Sequence, residues 1–373
     1  MSTYKDLQIL SNAAFYDKCN TRNYNRDNIL RKNTDDCIYN AKMGNREIPL
    51  FKILLTNKCK NDCAYCINCN KHKNQKVELT PEELAHCYMK YYEDNTAEGL
   101  FLSSGIKKDA DQTMHELIET AHILRNKYSY QGYIHLKVIP GATRDDIKHA
   151  MQLADRVSIN IESATSEGLS DLATTKDYNK DIIKRISWIS RLSNRYHELA
   201  PSGFTTQLIV GANDETDKQI IDQTHLLRKK YKITNNYFSS FIPVKDTPLE
   251  NKQISDPMRT NRLYQVEYLF SQYHIKKDEL IFNDDGFLNL NEDPKYNIAV
   301  NNMDKYPIDV NTASYNELIH IPGIGVKTAR RIKTLKRKNK KITSLKQLKN
   351  MGANVNRCKT FIKIKGQYQS TLF

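Results

Sequence analysis

Three cysteines, Cys59, Cys63 and Cys66, fall within eight residues directly after the apolar run Leu50-Phe-Lys-Ile-Leu-Leu55. This junction of a short strand with a thiol-bearing loop constrains the rest of the chain. Thiolates spaced C-x3-C-x2-C can ligate three corners of an iron–sulfur cube, which leaves the fourth iron open to a substrate or cofactor. Cys69, three residues further on, also permits a compact four-thiolate site. So tight a set strains tetrahedral closure, and zinc sites more often join two separated pairs. Cys19 and Cys37 have no ligand-like neighbours and read as isolated thiols.

From residue 48 onward, strand and helix signals alternate, as a parallel-sheet protein requires. Thr80-Pro81-Glu82-Glu83 combines an N-cap, a proline at the first helical position and a glutamate three residues after the cap, which starts a helix running to about residue 92. Further strands read at 99–102, 133–139, 156–162, 205–210 and 237–241, each followed by turn residues and, for the first four, a helical stretch. Six βα units predict an α/β fold, a partial, open (β/α)6 barrel with its functional groups at the C-terminal strand ends. The cysteine loop, Ser103-Ser104-Gly105, Asn160, Glu162, Gly211 and Pro243 all follow or end such strands. Any one of these glycines or serines is also an ordinary turn residue. Lys137, at the end of the third strand, is either a substrate contact or a solvated lysine.

The net charge of +14 is concentrated in the last segment. From residue 305 onward there are twelve lysines and four arginines against Asp309 and Glu317, so the preceding residues sum to zero. A basic module on a neutral body suggests a polyanion-binding appendage, although a lysine-rich solvated surface would give the same count. Within it, His320-Ile-Pro-Gly-Ile-Gly325 followed by Val326-Lys327-Thr-Ala-Arg-Arg-Ile332 resembles a helix-hairpin-helix motif. Gly323 and Gly325 allow close backbone approach to a phosphate, the following helix N-terminus offers free N–H groups, and Lys327 and Arg331 add charge one turn apart. Residues 344–352 resemble a degenerate second copy. Contacts of this kind read phosphate and carry no base code.

The Cys59, Cys63 and Cys66 spacing, with Tyr65 before the last cysteine, resembles the radical S-adenosylmethionine (SAM) superfamily. That resemblance implies a [4Fe-4S] cluster on the three cysteines, SAM at the open iron and a low-potential electron donor such as flavodoxin or ferredoxin. It places Tyr65 near the adenine and Ser103, Ser104 and Gly105 where the family usually has Gly-Gly-Glu, facing the methionine amino group. Asn160 and Glu162 then match the fourth-strand polar groups, and Gln207-Leu-Ile-Val-Gly211 the fifth-strand element along adenine. More narrowly, Leu54-Leu-Thr-Asn, Glu98-Gly-Leu-Phe-Leu-Ser-Ser-Gly-Ile106, Gly132-Tyr-Ile-His-Leu-Lys137 and Pro307-x-Asp-Val-Asn311 resemble a branch of radical SAM proteins associated with DNA modification or repair.

The expected organisation is an N-terminal extension (1–45), the radical SAM barrel (46–250), a helical connector (251–304) and a helix-hairpin-helix DNA-binding domain (305–373). The expected activity is radical chemistry on a DNA nucleotide. A tRNA-modifying enzyme and a non-catalytic iron–sulfur protein that binds DNA or senses redox state are the alternatives. The chain has no apolar run near the roughly eighteen residues a membrane span needs. Its first residues lack the apolar core of a secretion signal, so a cytoplasmic location, where thiols stay reduced, is expected.

Overall fold

The computed structural model describes residues 4–15, 37–43 and 46–368. Cys19 lies outside them. The chain divides into two compact units, Met1–Thr260 and Asn261–Phe373.

The first unit is built on a seven-stranded sheet whose strands follow one another in chain order. β1 (Ile38–Met43) is antiparallel to β2 (Arg46–Leu54). The remaining strands run parallel: β3 (Gly99–Ser103), β4 (Tyr133–Lys137), β5 (Arg156–Ser158), β6 (Phe204–Val210) and β7 (Asn235–Ser240). An N-terminal helix, α1 (Tyr4–Phe15), is tied to the start of β1 through Cys37, whose thiol donates to the Leu7 carbonyl. Between the parallel strands lie α2 (Pro81–Glu93), α3 (Ala110–His122), α4 (Arg144–Leu153), α5 (Ser166–Leu172), α6 (Lys184–Arg195) and α7 (Asp217–Tyr231).

Sequential order with right-handed crossovers puts every helix on one face, so the sheet curls into an open half-barrel with the other face inward. Period-2 alternation then divides the strand residues. Phe51 of β2 points out and packs on Tyr88 and Tyr91 of α2, with ring centroids 5.8 and 4.7 Å apart. Its register neighbours Leu100 and Ile134 are completely buried on the same face. Helix starts are fixed locally: Thr80 and Glu83 form a reciprocal capping box with Pro81 at the first position, and Asp109, Thr143, Thr165 and Thr216 cap the helices that follow them.

The fourth parallel strand is shorter than its sequence suggests. β5 ends at Ser158, and Glu162 adopts a left-handed backbone with φ 65°. The N–H groups of Ile161 and Glu162 both donate to the Gln207 carbonyl, and the Glu162 carbonyl accepts from Ile209, so β6 holds the bend in place. Left-handed backbone costs a non-glycine residue on the order of 1 kcal/mol and persists where neighbours over-determine it.

In the second unit, α8 (Pro257–Gln272), which begins in the first unit, leads to α9 (Pro294–Val300). These are followed by α10 (Tyr315–His320), α11 (Val326–Arg337), α12 (Leu345–Asn350) and the short α13 (Val355–Cys358). The core joins Ala299 of α9 to Leu318, Ile332, Leu348 and Phe361. Tyr296 and Tyr306 meet Phe361 edge to face. The stretch that the sequence presents as a connector therefore contributes to the core of the tail.

Candidate functional site

The cysteine loop starts at the carboxyl end of β2 and is fixed by backbone bonds from four directions. Lys60 N–H donates to Ile106 O, Ala64 to Leu172 O, Asn70 to Asn61 O and Leu249 to Ala64 O. Gly105 N–H donates to Thr56 O, which lays Ser103-Ser104-Gly105 alongside the loop. A Cβ on Gly105 would overlap the Lys58 carbonyl oxygen, backbone that has no room to yield. Gly105→Ala is therefore expected to destabilise the fold by on the order of 2 kcal/mol and to lower iron retention. Iron bound per chain after reconstitution, together with a thermal melt, checks this; unchanged values of both would refute it.

Cys63 is buried, and Cys59 and Cys66 are half-buried. Each thiol has a partner. Ile106 N–H points at Cys59 Sγ at 3.5 Å, Asn68 N–H points at Cys66 Sγ at 3.4 Å, and the Lys176 ammonium lies against Cys63. Burial pushes the Cys63 and Cys66 thiols up, with Lys176 pulling the other way. Among the described residues no three His, Cys, Asp or Glu side chains are grouped as ligands of one metal ion. A cube asks for something else, since each thiolate takes a different iron. Three linked thiols that receive N–H and ammonium donors fit that requirement, because such hydrogen bonds stabilise cluster sulfur.

Around this loop the fold gathers most of the expected cofactor contacts. The Tyr65 ring packs with Leu172, Ala212 and Phe241, and its hydroxyl faces Glu162. Burial first, and Glu162 second, hold the Tyr65 phenol well above its ordinary range, so it stays a neutral donor to the carboxylate. Asn160 Nδ2 reaches Glu162 Oε2 at 3.4 Å. Ser104 instead turns its hydroxyl onto the Gly105 carbonyl. Gly211 follows β6 directly, Ser103 is buried at the end of β3, and Lys137 sits half-buried at the end of β4.

A strap that the sequence does not announce closes the site. Residues 173–176, just after α5, lie along the cysteine loop. Asp62, inside the C-x3-C spacing, accepts from the Thr174 and Thr175 hydroxyls and from Thr175 N–H. Although burial opposes it, this set holds the Asp62 carboxyl below its usual range. Lys176 follows, with its side chain only 10% exposed, its Nζ 3.9 Å from Glu162 Oε1 and the Cys63 thiol on another side. Burial disfavours its charge, but Cys63 and Glu162 outweigh burial and raise its pKa. Nothing in local spacing links residue 62 to 174–176; a Thr-Thr-Lys run is the only trace.

In the second unit, Gly325 N-caps α11, and Gly323 takes φ 83° in the preceding turn. A Cβ on Gly323 would overlap Asn354 O, because the two hairpin turns pack back to back, with Asn354 N–H donating to Gly323 O at 2.8 Å. Lys327 is exposed. Arg331 is exposed as well, but one of its nitrogens donates to Met351 O at 2.9 Å and so also ties α11 to the second turn. Two contacts escape sequence reasoning. The Tyr273 hydroxyl accepts from Val326 N–H, which engages one amide of the first hairpin, and Lys295 Nζ donates to Ile324 O at 2.6 Å.

Comparison with known families agrees with both halves. Residues 53–227 match the model of the radical SAM superfamily, and residues 304–362 that of a helix-hairpin-helix motif. The barrel is a radical SAM domain. Domains of this superfamily are enzymatic and use a [4Fe-4S] cluster with SAM. Similar solved structures include HydG, a maturase of the [FeFe]-hydrogenase (12% identity, TM-score 0.46, 58% of this chain and 48% of that one). Methylornithine synthase, PylB, is another (16% identity, TM-score 0.46, 58% of this chain and 60% of that one). A third is HydG from Carboxydothermus hydrogenoformans (15% identity, TM-score 0.45, 58% of this chain and 49% of that one). The chain thus spans about half to three-fifths of the length of these structures. No curated protein matches it. Among the described residues no helix is long and apolar enough to cross a membrane.

Proposed function

We propose that this chain is a radical SAM enzyme that acts on a nucleotide of DNA, in modification or repair, and that its tail delivers it there. The observation that carries the proposal is the joining, in one chain, of a radical SAM domain to a helix-hairpin-helix module that holds the whole net charge of +14.

Cys59, Cys63 and Cys66 would hold the cluster, and Tyr65, Ser103, Ser104, Gly105, Asn160, Glu162 and Gly211 would seat SAM. When bound, that pair supplies one-electron cleavage of a carbon–sulfur bond, giving a 5′-deoxyadenosyl radical that takes hydrogen from an unactivated C–H bond. The remaining work belongs to the protein. Glu162 is a fixed acceptor because β6 determines its backbone and Lys176 and Tyr65 its carboxylate. The strap binds Asp62 and sets Lys176 against the buried Cys63. Gly323, Gly325, Lys327 and Arg331 would contact phosphate, and since such contacts carry no base code, duplex binding should be largely sequence-independent. A base or sugar taken into the barrel must first leave the stack. A low-potential flavodoxin or ferredoxin would supply the electron.

Two measurements test this. Anaerobically reconstituted protein given dithionite and SAM should release 5′-deoxyadenosine; a loaded cluster that cleaves no SAM would leave only a structural or redox-sensing role. The full chain should also bind unrelated duplexes with similar affinity. Its log affinity should fall linearly with log salt, by about 0.9 per phosphate neutralised. A strong preference for folded RNA would move the substrate to tRNA.

A further inference from the structure

The inner face of the half-barrel has a composition that packing does not explain. The outward-facing strand residues Phe51, Ile53, Leu100, Leu102, Ile134 and Leu136 are apolar and completely buried. The opposite face carries, beside the apolar Leu54 and Ile209, the polar residues Lys52, Ser103, His135, Ser158, Thr205 and Gln207, all six at least nine-tenths buried. A closed (β/α)8 barrel fills its interior with Val, Ile and Leu, whereas this open half-barrel keeps a largely polar inner face.

These residues form one connected layer. Lys52, Phe101 and His135 are register partners on β2, β3 and β4. The Lys52 ammonium lies 4.9 Å from the Phe101 ring centroid. The Phe101 and His135 rings stack in parallel, 4.1 Å apart with an interplanar angle of 4°. His135 Nε2 is 2.9 Å from Ser158 Oγ. Lys137 stands one step above at the end of β4 and, like Phe101, keeps part of its surface accessible. Ammonium, imidazole and hydroxyl groups make this layer rich in donors, while the Glu162 carboxylate is held by Lys176. A donor-rich layer of this kind recognises phosphate and carbonyl oxygens, not hydrocarbon.

We propose that the layer of Lys52, Phe101, His135 and Ser158 is the floor of the substrate site and takes a single nucleotide unit, held by its phosphate and base acceptors. It deepens the functional proposal above and rests on it for the reaction, but not for binding.

The test is calorimetric titration of the full chain with the four 2′-deoxynucleoside 5′-monophosphates and the four ribonucleoside 5′-monophosphates. Saturable binding of at least one is expected, with the deoxy or ribo series that binds more tightly identifying DNA or RNA as its source. His135→Phe keeps the ring stack and removes the donor, and Lys52→Met removes the ammonium. Each should weaken binding by roughly ten- to a hundredfold. Ser158→Ala, a nearly volume-neutral change that also removes the partner of His135 Nε2, should weaken it in the same direction, and a melting curve on the same variant reads the separate cost to the fold. No nucleotide binding by the wild type, or equal binding by all three variants, overturns the floor. SAM cleavage on the same preparations separates the two proposals. A wild type that binds nucleotide through this layer but cleaves no SAM overturns only the catalytic reading, and one that cleaves SAM without binding nucleotide overturns only the floor.

Discussion

Cys63→Ala is expected to abolish 5′-deoxyadenosine formation and to lower the iron and sulfide retained after anaerobic reconstitution. Cys63 is the buried member of the three thiols and the one against which Lys176 rests. Its loss takes away one of three protein corners of the cube and leaves an ammonium without its sulfur partner. Cys69→Ala is the informative contrast. Cys69 is also buried, and it lies near Lys76 together with Cys59 and Cys66. If three thiolates hold the cluster, Cys69→Ala retains iron and activity and costs only about 1 kcal/mol for a small apolar vacancy. Equal iron loss in both variants would instead establish four-thiolate ligation and close the open iron on which SAM binding depends.

The second large effect is expected for Lys176→Met. The variant keeps most of the side-chain volume but leaves the Glu162 carboxylate, 9% exposed, without its ammonium neighbour. Breaking a buried pair from one side costs on the order of 3 kcal/mol, because the remaining charge is left unpaired in a poorly hydrated place. In a unit of this size the melting temperature should fall by roughly 6–12 °C. The pH dependence follows from the direction of the shift. Lys176 is raised above its ordinary value of 10.5, so its contribution is fully present below that pH and is lost only as pH climbs through the higher folded value. The gap between wild type and variant should therefore stay level from pH 7 to about 9, as melts of the cluster-free protein would show. Coincident melts of the two proteins would mean that Lys176 does not stabilise the site. Lys176→Arg tests geometry separately, since a planar guanidinium does not replace a compact ammonium between a thiol and a carboxylate.

Much of the fold was legible because its determinants are local. Thr80, Pro81 and Glu83 announce a helix start within four residues, and the capping box is present. The alternation of strands with helices led to a singly wound parallel sheet, and Pro322, Gly323 and Gly325 to a hairpin between α10 and α11. The run from Arg156 to Glu162 reads as strand throughout by residue type, whereas β5 ends at Ser158 and the Gln207 carbonyl takes the consecutive amides of Ile161 and Glu162, which bends the chain at Glu162. Arg331, read only as a phosphate contact, also braces the second turn through Met351.

The thiol spacing, the order of strands and helices and the confinement of the positive charge to the tail can all be read along the chain. Each depends on residues adjacent in the chain or on simple sums. Which groups surround the thiols depends on packing between distant segments. Asp62 meets Thr175 across 113 positions of chain, and Glu162 meets Lys176 only because α5 returns its following strap to the cysteine loop. The same holds for the polar inner face, where Lys52, Phe101, His135 and Ser158 come from four strands. Contacts of this kind depend on loop closure and strand register, which no local spacing encodes. The cysteines thus establish the kind of centre the loop can form, and the packing around them establishes which charges it meets.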